Sequence, residues 1–193
     1  MQQKYFLIIN SGSTSLKYKL FSAKNLREIF AGQIKNIGSS KGIASNHYEA
    51  LRLMVADLEK KNVNLRNISA LGHRVVHGGE KFYRSMIIND KIFHQLKKYE
   101  YLAPLHNPAN LLGIKAARTV LKGIPNIAVF DTAFHRTISK PVFIYALPLK
   151  YYTKHGIRRY GFHGISHQYV VEEAARRLKK PLSRLKLISC HLG

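Results

Sequence analysis

The stretch Y-F-L-I-I-N-S-G-S-T-S-L-K-Y-K-L-F, Tyr5 to Phe21, decides the fold class. Tyr5 to Asn10 is a short apolar run that ends in a Ser/Gly cluster, and Leu16 to Phe21 alternates apolar with basic residues. This spacing predicts strand, tight loop, strand, with the second strand half exposed. Downstream, Glu28 to Ile37 can supply a third strand before the loop Gly38 to Gly42. His47 to Lys61 carries Leu51, Val55 and Leu58 at helical spacing, widened by Leu53 and Met54. Leu71 to His77 is β-rich and stops at Gly78-Gly79. Pro108 to Leu121 predicts a helix with Leu111, Leu112, Ala116 and Val120 inward and Gly123 as a stop. Asn126 to Asp131 reads as a second buried strand that delivers an acid at its end. Thr132 to Arg159 lacks periodicity, and His167 to Lys179 places Val170, Val171, Ala174, Ala175 and Leu178 on one helical face. Leu187 to Leu192 is expected to begin another strand. The class is α/β.

Composition narrows the setting. The 193 residues hold 32 Lys+Arg against 10 Asp+Glu, a formal charge of +22. A 46% hydrophobic content with 11 Tyr and 9 Phe argues against disorder despite that charge. Cys190 is the single cysteine, which excludes a disulfide framework and points to a cytoplasmic, reducing environment. No apolar run approaches the roughly 18–20 residues that span a bilayer, and the first residues lack the apolar stretch of a signal peptide. The charge attracts anions: nucleic acid, acidic membrane or phosphorylated small molecules. It is spread along the chain, with no basic tail, which counts against a disordered nucleic-acid arm. With ten carboxylates, any catalytic base or metal ligand comes from a short list.

Five clusters can carry chemistry. N-S-G-S-T-S-L-K, Asn10 to Lys17, sets a glycine among four hydroxyls with Lys17 beyond, a phosphate cradle or an ordinary hairpin turn. It lacks Walker A spacing. In G-H-R-V-V-H-G-G, Gly72 to Gly79, a strand puts Arg74 and Val76 on one face and His73, Val75 and His77 on the other. Arg74 beside a small apolar neighbour suits an anion with a short apolar tail, or else pairs a carboxylate. L-A-P-L-H-N-P-A-N, Leu102 to Asn110, sets His106 and Asn107 at a helix start, where anions bind and where Asn107 can cap. V-F-D-T-A-F-H, Val129 to His135, offers Asp131 at a strand's carboxyl end, for Mg²⁺, a nucleophile or a cap. In R-R-Y-G-F-H-G-I-S-H, Arg158 to His167, His163 and His167 can share a helix face. The i, i+4 histidines have neither an H-E-x-x-H pattern nor a cysteine pair, which argues against zinc. No G-x-S-x-G elbow supports a serine hydrolase. The basic, aromatic run Lys150 to Tyr160 fits nucleic acid or a solvated face, with no RNP, KH or C₂H₂ signature.

In this order, and with I-S-C-H-L-G from Ile188 to Gly193, the clusters resemble the acetate/propionate kinase family. The resemblance implies an actin-like (ribonuclease-H-like) ATPase domain with a mixed sheet, spanning residues 1–131. Residues 132–193 would form a connection and the truncated start of a second similar domain. The implied reaction is reversible transfer of the ATP γ-phosphoryl to acetate with Mg²⁺, giving acetyl phosphate and ADP. Carried over by position, Ser13, Ser15 and Lys17 would bind phosphate, and Asn10 would help hold Mg²⁺. Arg74 would bind the carboxylate or the phosphoryl group, with His163 and His106 around it and Asp131 orienting substrate or metal. Val76, Leu105 and Phe162 would line the pocket for the methyl group. His191 and Gly193 match the start of the second-domain nucleotide loop. Family members are about twice this length, so the chain alone is expected to be weakly active or inactive, and the whole enzyme a cytoplasmic homodimer. Thr14 and Ile165 replace the family's commoner Ser and Thr, and the stretch from Lys35 to Ala70 is shorter. Propionate kinase and a non-catalytic phosphate- or nucleic-acid-binding relic are the competing readings.

Overall fold

The structure, a computed structural model, describes residues 3–192. Two compact units emerge, Met1–His77 with Ser85–Val129, and Gly78–Arg84 with Phe130–Gly193. The first is built on a mixed six-stranded sheet of order β3-β2-β1-β4-β6-β5. Its strands are β1 Tyr5–Ser11, β2 Ser15–Ser22, β3 Glu28–Lys35, β4 Ile68–Val75, β5 Met86–Ile87 and β6 Asn126–Phe130. β1 and β2 pair antiparallel from Tyr5↔Ser22 to Ser11↔Leu16, the hairpin expected from the opening stretch. β4 joins the other side of β1 in parallel, ending at Ile9↔His73. That parallel pairing brings Ile9 and His73, far apart in the sequence, to the same end of the sheet.

Helices α1, His47–Lys60, and α3, Asn107–Val120, supply the apolar cover. Ala50, Leu51, Met54 and Leu58 of α1 and Ala116 and Ala117 of α3 share one core with Leu7, Ile9, Leu16, Leu20 and Leu71 of the sheet. The alternation in β2 does what its pattern demands: Leu16, Tyr18 and Leu20 are buried while Lys17 and Lys19 face outward. The Tyr18 hydroxyl donates to Asp57 at 2.5 Å, tying β2 to α1, and burial followed by that carboxylate raises its pKa above the ordinary phenol value.

Three expectations are corrected. Leu112 is 48% exposed, because the buried stripe of α3 runs through Asn110, Gly113, Ile114 and Ala117 and turns Leu112 outward. Leu187 to Leu192 forms no strand; among the described residues it has no ladder partner, and Ile188 is 94% exposed. The helix expected over His167 to Lys179 is α6, Gly164–Leu178, with Val170 and Leu178 about half exposed. His163 does not share a helix face with His167; it caps α6 in the left-handed region at φ 54°, outside the helical turns. β5 and α2, Asp90–Lys97, lie outside the elements expected from the sequence; Asn89 caps α2 by accepting from the Ile92 N–H at 2.9 Å.

In the second unit α4, Lys140–Phe143, and α5, Lys150–His155, interrupt the irregular segment. Gly156 ends α5 at φ 64°, where its N–H reaches the Tyr152 carbonyl at 2.8 Å. Arg158 ion-pairs with Glu80 and lies over the Phe143 ring at 3.4 Å, and Phe82 stacks on Phe130 at 5.6 Å. These contacts bind the short segment Gly78–Arg84 to the rest of the unit. Among the described residues no helix is long and apolar enough to cross a membrane.

One glycine makes the close approach of α3 to β1 possible. A Cβ at Gly113 would lie 2.5 Å from Ser11 Cβ and Oγ. Gly113→Ala is therefore expected to destabilise the fold by about 1–3 kcal/mol, against the usual gain from alanine in a helix. Urea melts of the two proteins decide it; an unchanged or raised midpoint refutes the close approach.

Candidate functional site

The sheet delivers the candidate residues of the first unit at its β1–β4 end. Gly12 closes the hairpin, its N–H donating to the Ser15 carbonyl at 2.8 Å, while His47 Nε2–H donates to the Gly12 carbonyl at 2.8 Å. Ser13, Thr14 and Lys17 are exposed, and Asn10 and Ser15 are half-buried. The loop is thus fixed from behind with its hydroxyls and one ammonium open to solvent, an arrangement that suits phosphate oxygens.

On β4 the face assignment holds: His73 and Val75 are buried, and Arg74 is half-buried on the other side, as is Val76 just beyond the strand. Val76 and His77 have left the ladder, so their buried backbone groups need other partners. Two asparagines of α3 supply them. Asn110 Oδ1 accepts from the Val76 N–H at 3.0 Å, and its Nδ2 donates to the Ser11 carbonyl at 2.6 Å. Asn107 Oδ1 accepts from the His77 N–H at 3.0 Å, and its Nδ2 donates to the carbonyls of His77 at 2.9 Å and Tyr99 at 3.1 Å. Asn107 is therefore not the helix cap considered from sequence. The N-cap is His106, which makes no side-chain capping bond, and Asn107 spends its amide on the end of β4. Leu105, beside it, is 79% exposed.

His73, on the inner face of β4, donates from Nε2 to Asn126 Oδ1 at 2.8 Å. Burial lowers its pKa to about 4, against a smaller opposing pull from the Asn126 hydrogen bond. The ring is neutral and belongs to the core.

In the second unit, Asp131 is 2% exposed at the end of β6. Its carbonyl accepts the Gly164 N–H at 2.8 Å, and there is no room there for a Cβ at position 164. That bond brings Asp131 against the start of α6 and so beside His163. The His163 ring stacks on His191 at 4.4 Å, and His191 Nδ1 hydrogen-bonds Ser166 Oγ at 3.1 Å. His167 hydrogen-bonds Ser189, and His135 donates to the Phe162 carbonyl at 2.9 Å, next to a Phe162 side chain that is 43% exposed. The structure thus gathers Asp131, Phe162, His163 and His191 in one unit, and Asn10, Ser13, Ser15, Lys17, Arg74, Val76, Leu105 and His106 in the other. Gly193 lies outside the described residues.

Ser11 and Asn110 have no role in the expectations drawn from the sequence, and Asn107 has only that of a cap or an anion neighbour. The usable signal was N-P-A-N itself: two amides three residues apart on a helix's first turn face the same way. Each unit offers one hard oxygen donor of the kind Mg²⁺ accepts alongside water and phosphate oxygens, the half-buried Asn10 amide in the first and the buried Asp131 carboxylate in the second.

Three comparisons with known proteins bear on this arrangement. The model of the acetokinase family matches residues 5–193. The acetate kinase of Halothermothrix orenii is 46% identical over 207 residues, covering 97% of this chain and 52% of that protein. Among solved structures, Porphyromonas gingivalis acetate kinase superposes with a TM-score of 0.85 at 36% identity, covering 93% of this chain and 50% of that one. A Francisella tularensis propionate kinase gives 0.86 at 35% identity, covering 92% and 50%. The chain spans about half the length of the curated relatives it matches.

Proposed function

Because the chain belongs to the acetokinase family, we propose that it forms the part of a phosphotransferase that holds a short carboxylate and the phosphoryl group passed to it from ATP. A carboxylate oxygen attacks the γ-phosphorus, the bond to the bridging β–γ oxygen breaks, and ADP leaves with its electrons. The acceptor is already anionic and needs no base, so catalysis rests on cationic clamping and alignment. Arg74 holds the carboxylate or the phosphoryl in flight. Ser13, Ser15 and Lys17 bind phosphate oxygens, and His106 and His163 surround the reacting group. Val76, Leu105 and Phe162 enclose the methyl group. His191 and Gly193 begin the nucleotide loop. Asn10 and Asp131 would hold Mg²⁺, which would neutralise phosphate charge. Residues 1–131 are read as the first actin-like domain and 132–193 as the connection and the start of the second. A cytoplasmic homodimer is the proposed whole.

The observation that carries this reading is the convergence of the hydroxyl loop after β1 and the Arg74–Val76 end of β4 on the same Asn110 amide. A hybrid tests it, with this chain replacing the matching half of the Halothermothrix orenii acetate kinase. With ATP, Mg²⁺ and acetate, the hybrid is expected to form hydroxylamine-trappable acetyl phosphate; a parallel assay with propionate reads the acyl preference. A hybrid that melts cooperatively yet forms no acyl phosphate overturns the proposal. Salt-sensitive binding of unrelated DNA without turnover would instead favour the relic.

A further inference from the structure

We infer that Asn110 is a positioning residue that sets the gap between the Ser11–Ser15 loop and the Arg74–Val76 strand end, and so aligns phosphoryl donor with carboxylate acceptor. The inference rests on the function proposed above. β1 and β4 run parallel and remain paired as far as Ile9↔His73. Past that pair the two chains separate, one to form the hydroxyl loop and the other to carry Arg74 and Val76. The Ser11 carbonyl and the Val76 N–H then meet opposite ends of one side-chain amide, at 2.6 and 3.0 Å.

An amide presents a donor and an acceptor at a fixed separation. Asn110 therefore replaces a missing rung of the ladder with a wider one. It is 4% exposed, so solvent has little access to substitute for it. The amide itself is anchored. Ser11 Oγ donates to the Ala109 carbonyl at 3.1 Å, and Gly113 admits β1 against the next turn of α3. Asn107 differs in kind: its bonds go to His77 and Tyr99 and never reach β1. The Asn110 side chain bonds to both strand ends.

Asn110→Asp keeps the shape and still accepts from Val76, but sets an oxygen against the Ser11 carbonyl. The two acceptors repel and the gap widens. In-line transfer is sensitive to such displacement, with about 1 Å costing on the order of 100-fold in rate. In the hybrid, Asn110→Asp is expected to lower kcat about 30- to 100-fold while the KM for ATP and for acetate each change less than about threefold. Asn110→Ser, which keeps a single hydroxyl, is expected to fall between. Leu58→Ala in the core serves as the control for simple destabilisation: its melting midpoint drops, yet below that midpoint kcat holds within about threefold.

A kcat for Asn110→Asp within threefold of the parent overturns the inference. So does a loss no greater than that of Leu58→Ala at an equal fall in midpoint. Failure of both Asn110 variants to melt cooperatively overturns it too, since a positioning residue leaves a folded enzyme behind. An inactive parent hybrid points instead to failure of the proposed function. In that event amide exchange on the chain itself reads the inference: Asn110→Ala, which takes the acceptor away from the Val76 N–H, should speed exchange at Val76 at least tenfold and leave Leu71 unchanged, and an unchanged rate at Val76 overturns it.

Discussion

Arg74→Ala in the hybrid enzyme is expected to lower acetyl phosphate formation by about 10³-fold, or roughly 4 kcal/mol of transition-state stabilisation. The guanidinium stands on the half-buried face of β4, one residue from the strand's end, where a cation can bridge carboxylate and phosphoryl oxygens. Charge on those oxygens has to be met by fixed donors, because in-line transfer to a carboxylate leaves nothing for a general base. Arg74→Lys keeps the charge but not the fork, and is expected to recover only part of the rate. The assay separates kcat from KM. A clamp acting on the transferring group lowers kcat, whereas simple carboxylate binding raises the KM for acetate alone. Activity of the alanine variant within threefold of the parent removes Arg74 from the site.

Acid should weaken this fold through His73. The native imidazole is buried, donates to Asn126, and has its pKa lowered to about 4, against about 6.5 in the unfolded chain. The unfolded state therefore takes up a proton first. The contribution of this residue is fully present above pH 6.5 and is lost as the pH falls toward 4. The slope approaches about 1.4 kcal/mol per pH unit, and the total is roughly 3 kcal/mol. His73→Gln retains an N–H for Asn126 and has nothing to titrate. Urea unfolding of both proteins at pH 7 and pH 4 gives the difference, with the other titrating groups cancelling between them. Equal losses of stability in the two proteins would refute the assignment of His73 as a buried neutral donor.

Both predictions depend on the faces of β4, and those were readable from residue order. Alternation alone sets His73 and Val75 apart from Arg74, since a strand repeats every two residues. The hairpin from Tyr5 to Ser22, helix α1 and strand β6 were legible for the same reason: each declares itself by local period. Leu112 faces solvent because the inward stripe of α3 runs through Asn110, Gly113, Ile114 and Ala117, and at 3.6 residues per turn position 112 lies opposite it. The stretch Leu187 to Leu192 misled because strand-forming composition is necessary but not sufficient; a strand exists only with a neighbour to share its hydrogen bonds. His163 at i−4 from His167 looked like a helix pair, yet the helix starts one residue later, at a glycine pressed against the Asp131 carbonyl.

Period, turn chemistry and the order of the motifs were enough to specify an α/β chain, its hairpin, the exposed hydroxyl loop and the family resemblance. These are properties of neighbours along the chain, and local sterics and solvation enforce them wherever the segment sits. The parallel pairing of β1 with β4, the neutral state of His73 and the reach of Asn110 from α3 to both strand ends appear only in three dimensions. Each joins groups 34 to 99 positions apart. Such a bond has no local signature, because the same asparagine at a helix start serves equally as a cap until packing removes water and decides which backbone groups it must satisfy.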